Sequence, residues 1–190
     1  MSKNDQHNTT AYGSLNTYEL VLTSMFVGMI AVCSWISIPA EIPFTMQTFA
    51  IFLTLGLLGG RRGTIAVITY LLLGILGAPV FSGFTGGLNR LIGPTGGYIL
   101  GFLFSALIMW GMETVIGRST VAQIISMITG LLICYLFGTI WFISVYGGQS
   151  GYIGIIATLD TCVFPFVIPD ILKIVLAINL TKRLAPVIWR

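Results

Sequence analysis

The sequence predicts an all-α integral membrane protein with six transmembrane helices. Three observations carry this. Of 190 residues, 56% are hydrophobic and only 8% charged, whereas a soluble domain carries roughly 25% charged residues. Too few charges remain to cover a water-facing surface, so most of the chain faces lipid. The apolar residues fall into six segments. The basic residues, finally, fall almost entirely into the connections on one side of those segments.

The segments read as residues 18–38, 45–58, 64–76, 95–116, 121–144 and 153–180. A helix needs about 20 apolar residues to cross the hydrocarbon. The second and third segments are shorter, which suits helices shielded by protein or thinned bilayer. Six crossings place both termini on one side. Lys3, Arg61, Arg62, Arg118, Lys182, Arg183 and Arg190 then share that side, while Arg90 and Glu41 lie opposite. The positive-inside rule makes the Lys/Arg-rich side cytoplasmic. Losing one span would scatter the charges over both faces. The chain thus divides into a polar cytoplasmic N-terminal tail, 1–17, and a single six-helix domain, 18–190. The tail has no apolar core of the kind a cleavable signal peptide needs.

Several function classes fall away. The net charge of +3 does not point to nucleic acid. Cys33, Cys134 and Cys162 lie in apolar stretches, in neither a zinc-ligand nor a CxxC spacing, and read as free thiols packed as small hydrophobes. The one histidine, His7, is in the tail, which excludes a histidine-based metal or catalytic centre at membrane depth. An intramembrane enzyme would need a nucleophile–base pair, a metal set or paired carboxylates, and none is present. No cofactor is expected.

The principal anomaly is Val167-Ile168-Pro169-Asp170-Ile171-Leu172-Lys173. Each charge costs about 2.5–3.5 kcal/mol at the centre of a membrane helix. Their spacing sets both on one face, roughly 60° apart and nearly one turn up the axis. Such residues either mark a substrate path or form a structural ion pair between helices. Pro165 and Pro169 remove backbone donors and predict a kink or break beside the charges, where irregular backbone is tolerated if it lines a cavity.

A second constellation is Gly83-Phe84-Thr85-Gly86-Gly87-Leu88-Asn89-Arg90-Leu91-Ile92-Gly93-Pro94-Thr95-Gly96-Gly97-Tyr98. Its glycines allow tight turns, and Thr95 can cap the following helix. Asn89 can both donate and accept. The GK[ST] ending of a P-loop is absent, so if the chain drives uptake the energy has to come from a partner. The connections 39–44, 80–94 and 146–152 are rich in Gly or Pro; the first two flank the short spans and suit a lid or pocket mouth. Thr45 and Gln47 are polar at the start of the second span, as pocket groups or as ordinary interfacial residues. Ser24 and Gly28 form a small-xxx-small pair that packs inside the protein or against a partner. Asp160 is expected to be solvated or capping.

These residues resemble the BioY family, the biotin-specific S components of energy-coupling factor (ECF) transporters. The resemblance spans nearly the whole chain from Tyr18. It rests on five blocks in order: Ile42-Pro43-Phe44-Thr45-Met46-Gln47-Thr48-Phe49, Gly59-Gly60-Arg61-Arg62-Gly63, Gly77-Ala78-Pro79-Val80-Phe81, Gly93-Pro94-Thr95-Gly96-Gly97-Tyr98 and Pro169-Asp170-Ile171-Leu172-Lys173. It implies an S-component bundle of six helices in the plasma membrane, with a vitamin pocket open to the outer face. It also implies partners: a transmembrane T component and two ATPase subunits, which alone use ATP. Asp170, Lys173 and Asn89 carry over as biotin contacts, with Arg90, Tyr98, Thr45 and Gln47 as further candidates. Where related S components meet the T component through an AxxxA pattern, this chain has Ser24 and Gly28.

The chemistry agrees. Biotin's ureido ring presents two N–H donors beside one carbonyl. Asp170 can accept from N–H, Lys173 can donate to the carbonyl oxygen, and Asn89 can serve either edge. The carboxylate then meets Arg90 or loop N–H groups, or in the reverse orientation Lys173. An S component for thiamine or riboflavin is the rival within transporters, and a channel or structural membrane protein the rival outside them.

Overall fold

The computed structural model describes residues 17–39, 42–150 and 155–188, the side chains of 146–150 and 155 excepted. Lys3, His7, Glu41 and Arg190, with nearly all of the tail and the end of the 146–152 connection, lie outside the described residues. The described elements are helical apart from one small hairpin. They are α1 (Thr17–Trp35), β1 (Ser37–Ile38), β2 (Phe44–Thr45), α2 (Gln47–Leu58), α3 (Gly60–Ile75), α4 (Leu88–Ile92), α5 (Gly96–Ile116), α6 (Thr120–Ser150), α7 (Ile155–Cys162) and α8 (Phe164–Ile188).

Among these residues four helices are long and apolar enough to cross a membrane: α1, α5, α6 and α8. The two short segments explain themselves differently. α2 has 12 residues, all buried, and at 1.5 Å per residue is about 18 Å long. It packs against α1, α3, α5 and α8, so protein rather than lipid surrounds it. α3 has 16 residues and begins four residues before the expected start, taking in Arg61 and Arg62. Arg62 is salt-bridged to Glu19 at the start of α1.

α5 and α6 form an antiparallel pair with a seam of small residues. A Cβ on Gly138 would lie 2.3 Å from the Tyr98 ring, and one on Gly97 2.2 Å from Trp141. Ser105 donates to the Gly130 carbonyl at 2.5 Å. Lipid is as apolar as leucine, so close backbone approach and interhelical hydrogen bonds hold such pairs.

The last apolar segment is not one helix. α7 ends at Cys162 and α8 starts at Phe164. The expected break therefore falls at Val163, ahead of Pro165, which sits in the first turn where its missing N–H is harmless. Pro169 is absorbed inside α8. Asp170 and Lys173 thus stand on continuous helix, about two turns beyond the break. α6 continues as helix through Ser150, past its expected end at 144.

The two ends of the bundle differ. At one, Tyr18 donates to the Ile188 carbonyl, Arg62 meets Glu19, and Arg118 reaches the Gly56 carbonyl at 2.9 Å. There Glu113 accepts from Gly60 N–H at 2.5 Å. A carboxylate thus meets the N-terminus of α3 and a guanidinium the C-terminus of α2, both favoured by the helix dipoles. At the other end lie the hairpin, the 76–87 loop, α4 and the cavity described next.

Candidate functional site

Asp170 and Lys173 are nearly fully buried, with side chains 5% and 6% exposed. Lys173 Nζ donates to Asp170 Oδ1 at 2.7 Å and to the Thr45 carbonyl at 2.7 Å. It also lies 4.0 Å from the centroid of the Phe44 ring, which is stacked near Phe166. Tyr135 on α6 donates to Asp170 Oδ2 at 2.5 Å. The pair is therefore an internal ion pair on one helix, tied to the hairpin on one side and to α6 on the other.

This cluster lines a cavity with two adjoining lobes, with about 440 and 450 Å3 of empty space including their mouths. Ile42, Pro43, Thr45, Tyr98 and Phe102 line both lobes. The first adds Asp170, Lys173, Tyr135 and Phe166; the second adds Gln47, Phe81, Ser82, Thr85, Arg90 and Thr95. The walls are largely apolar or aromatic, and charge is concentrated at Asp170–Lys173 in one lobe and Arg90 in the other.

Local structure positions the second lobe. Arg90 Nε donates to Thr85 Oγ1 at 2.8 Å, which holds the guanidinium against the loop. Gln47 Nε2 donates to the Tyr70 hydroxyl at 3.0 Å. Tyr70 and Ser34 both donate to the Val80 carbonyl, fixing the loop over the helices. At the loop tip, Phe84 has a left-handed backbone, φ 56°, strained for a residue with a Cβ. Its ring stacks on Trp35 at 4.8 Å, and Trp35 Nε1 donates to the Pro79 carbonyl at 2.8 Å.

The candidate residues separate. Asp170, Lys173, Tyr98, Thr45, Gln47 and Arg90 surround the cavity. Thr45 meets Lys173 through its carbonyl, while its hydroxyl accepts from Gln47 N–H. Asn89 is exposed on α4 and outside the lining of both lobes. Successive helical residues point roughly 100° apart, and α4 turns Arg90 inward. Thr95 stands at the N-cap of α5 but makes no side-chain cap bond; it lines the cavity instead. Ser24 and Gly28 face outward: Ser24 bonds only its own helix, at the Leu20 carbonyl, and a Cβ on Gly28 would meet nothing within 4 Å. Asp160 is exposed.

Sequence reasoning missed Tyr135 and Phe44. Tyr135 had a usable signal: a tyrosine hydroxyl inside a long apolar helix requires a partner, and Asp170 was an available acceptor at membrane depth. Phe44 had none, since any aromatic near the second span looked alike.

The comparisons agree with the resemblance. The family model described as the BioY family matches residues 4–190. The chain is 38% identical over 167 residues to a biotin transporter BioY of Thermotoga maritima, covering 87% of this chain and 95% of that one. It is 35% identical over 167 residues to a probable biotin transporter BioY of Pyrococcus horikoshii, with the same coverage. Its fold is similar to the crystal structure of the S-component for biotin from an ECF-type ABC transporter, with TM-score 0.79 and 24% identity over 90% of this chain and 94% of that one. With a family match running nearly from end to end and a relative of that identity and coverage, the chain belongs to the BioY family.

Proposed function

We propose that this chain is the biotin-binding membrane subunit, the S component, of an ECF-type importer, and not an enzyme. The observation that carries this is the two-lobed cavity with Asp170–Lys173 in one lobe and Arg90 in the other. Its lining charges sum to one positive charge, which matches a ligand with one anionic end and one neutral hydrogen-bonding end. Biotin has that form, and the related proteins named above are biotin transporters.

The ureido ring sits at Asp170 and Lys173 and the carboxylate at Arg90. Lys173 is already neutralised by Asp170 at 2.7 Å, which disfavours the reverse orientation. Tyr98 and Phe102 flank the bicyclic ring and valeryl chain, with Thr45 and Gln47 at the hairpin side. Asn89, exposed on α4 beside Arg90, is the remaining proposed contact. The domain spans 18–190, with six membrane crossings, α2 and α3 being the short ones. Both termini, and the 1–17 tail, are cytoplasmic, as the Lys/Arg-rich end of the bundle supports. A T component docks on the outward Ser24–Gly28 face, and two ATPase subunits supply the energy. The subunit itself needs no cofactor.

The test is calorimetry of biotin with the purified subunit, stripped of co-purified ligand, beside Asp170→Asn and Lys173→Ala variants checked for folding. Tight binding lost in both folded variants supports vitamin and pocket together. A folded wild type that ignores biotin sinks the assignment and directs the search to thiamine or riboflavin.

A further inference from the structure

We propose that Tyr135 is a positioning residue: its hydroxyl holds the Asp170 carboxylate so that it accepts an N–H of the ligand. This deepens, and rests on, the reading of the cavity as a ureido-binding pocket. Asp170 Oδ2 accepts from Tyr135 at 2.5 Å and Oδ1 from Lys173 at 2.7 Å. The two donors come from different directions, one from α6 and one from the turn of α8 that follows Asp170. The terminal torsion of an aspartate is broad and roughly two-fold. A single partner would leave the carboxylate plane free to swing; donors on both oxygens fix it.

Each carboxylate oxygen accepts through two lone pairs, so each keeps one after these bonds are made. Lys173 is itself anchored by the Thr45 carbonyl at 2.7 Å. The chain Tyr135–Asp170–Lys173–Thr45 therefore ties α6, α8 and the hairpin together, and all four residues line the same lobe. Preorganisation of this kind raises affinity by removing ordering that the ligand would otherwise have to impose. A phenylalanine at 135 would keep the ring and its packing and remove only the donor.

The experiment compares wild type and Tyr135→Phe, both checked for folding by thermal unfolding, with biotin and with biotin methylated at either ureido nitrogen. Positioning predicts that Tyr135→Phe weakens biotin ~10- to 100-fold, the range of one lost charge-assisted hydrogen bond. It also predicts that the variant discriminates less against the methylated ligand that lacks the N–H facing Asp170, a coupling that a double-mutant-type cycle isolates. Equal losses for biotin and both methylated ligands, or no loss, overturn the proposal. So does a wild type that binds biotin and both methylated forms alike. A second readout needs no ligand: the infrared carboxylate band of Asp170, assigned by its disappearance in Asp170→Asn. A shift of that band in Tyr135→Phe supports the clamp, and an unchanged band overturns it. A wild type without affinity for biotin sinks the biotin reading, and the band alone then decides whether Tyr135 holds Asp170.

Discussion

The Phe44 ring covers the ammonium of Lys173, with Nζ 4.0 Å from its centroid. A residue of the hairpin thus reaches the most deeply buried cation of the described cavity. A cation over an aromatic face gains about 0.5–2 kcal/mol, more when desolvated. Phe44→Leu keeps apolar bulk but removes the ring quadrupole. It should lower the ligand-free thermal stability by about 0.5–2 kcal/mol, while Phe44→Tyr should retain most of it. Unfolding curves of the two variants in one detergent check this.

Asp170 and Lys173 are coupled through burial. In Asp170→Asn the ammonium remains buried beside only a carbonyl, a ring and an amide, which should cost about 3–5 kcal/mol. Adding Lys173→Met removes the orphaned charge and should restore most of the stability, since apolar replacement of a buried pair is often neutral. Neither variant should bind biotin. Stability that recovers without binding would separate the pair's ligand role from its structural one. Binding by the double variant would place the ligand elsewhere.

Tyr98 stands between the lobes with its ring against Gly138, where a Cβ would sit 2.3–2.6 Å from the ring atoms. Gly138→Ala must push either α6 or the ring. Overpacking of this kind costs about 1–3 kcal/mol, and ligand affinity should fall as Tyr98 shifts into the cavity. Gly111→Ala on α5 is the control, because nothing lies within 4 Å of its Cβ. It should be neutral or slightly stabilising. Equal effects of the two substitutions would show that helix propensity rather than the Tyr98 contact is at work.

Glu113 caps α3 through Gly60 N–H at 2.5 Å and meets Arg118 at 3.6 Å. Glu113→Ala should cost about 0.5–2 kcal/mol, the range for a lost N-terminal cap. Glu113→Gln keeps an acceptor and should lose less. Biotin affinity should change little in either, because this brace lies at the opposite end of the bundle from the cavity. Calorimetry and thermal unfolding together read both outcomes.

The amino-acid order by itself determined the class of protein and the main helices. With so few charges, water could not be the main solvent, and the apolar runs mark α1, α2, α5 and α6 to within a few residues at most of their ends. It also determined that Asp170 and Lys173 share a helix face, because a spacing of three is a local property of any α-helix. Hydropathy and backbone periodicity are short-range quantities, and each of these features follows from them.

Tertiary structure decided the rest. Tyr135 meets Asp170 across 35 positions, and Lys173 meets the Thr45 carbonyl across 128. No periodicity encodes such pairs; they depend on how α2, α6 and α8 pack. The same packing turned Arg90 into the cavity and Asn89 out, aimed Ser24 and Gly28 away from the core, and moved the break in the last segment from the prolines to Val163. A sequence carries the cost of a buried charge in plain view, but its partners are selected by helix–helix geometry, which exists only after the chain has folded.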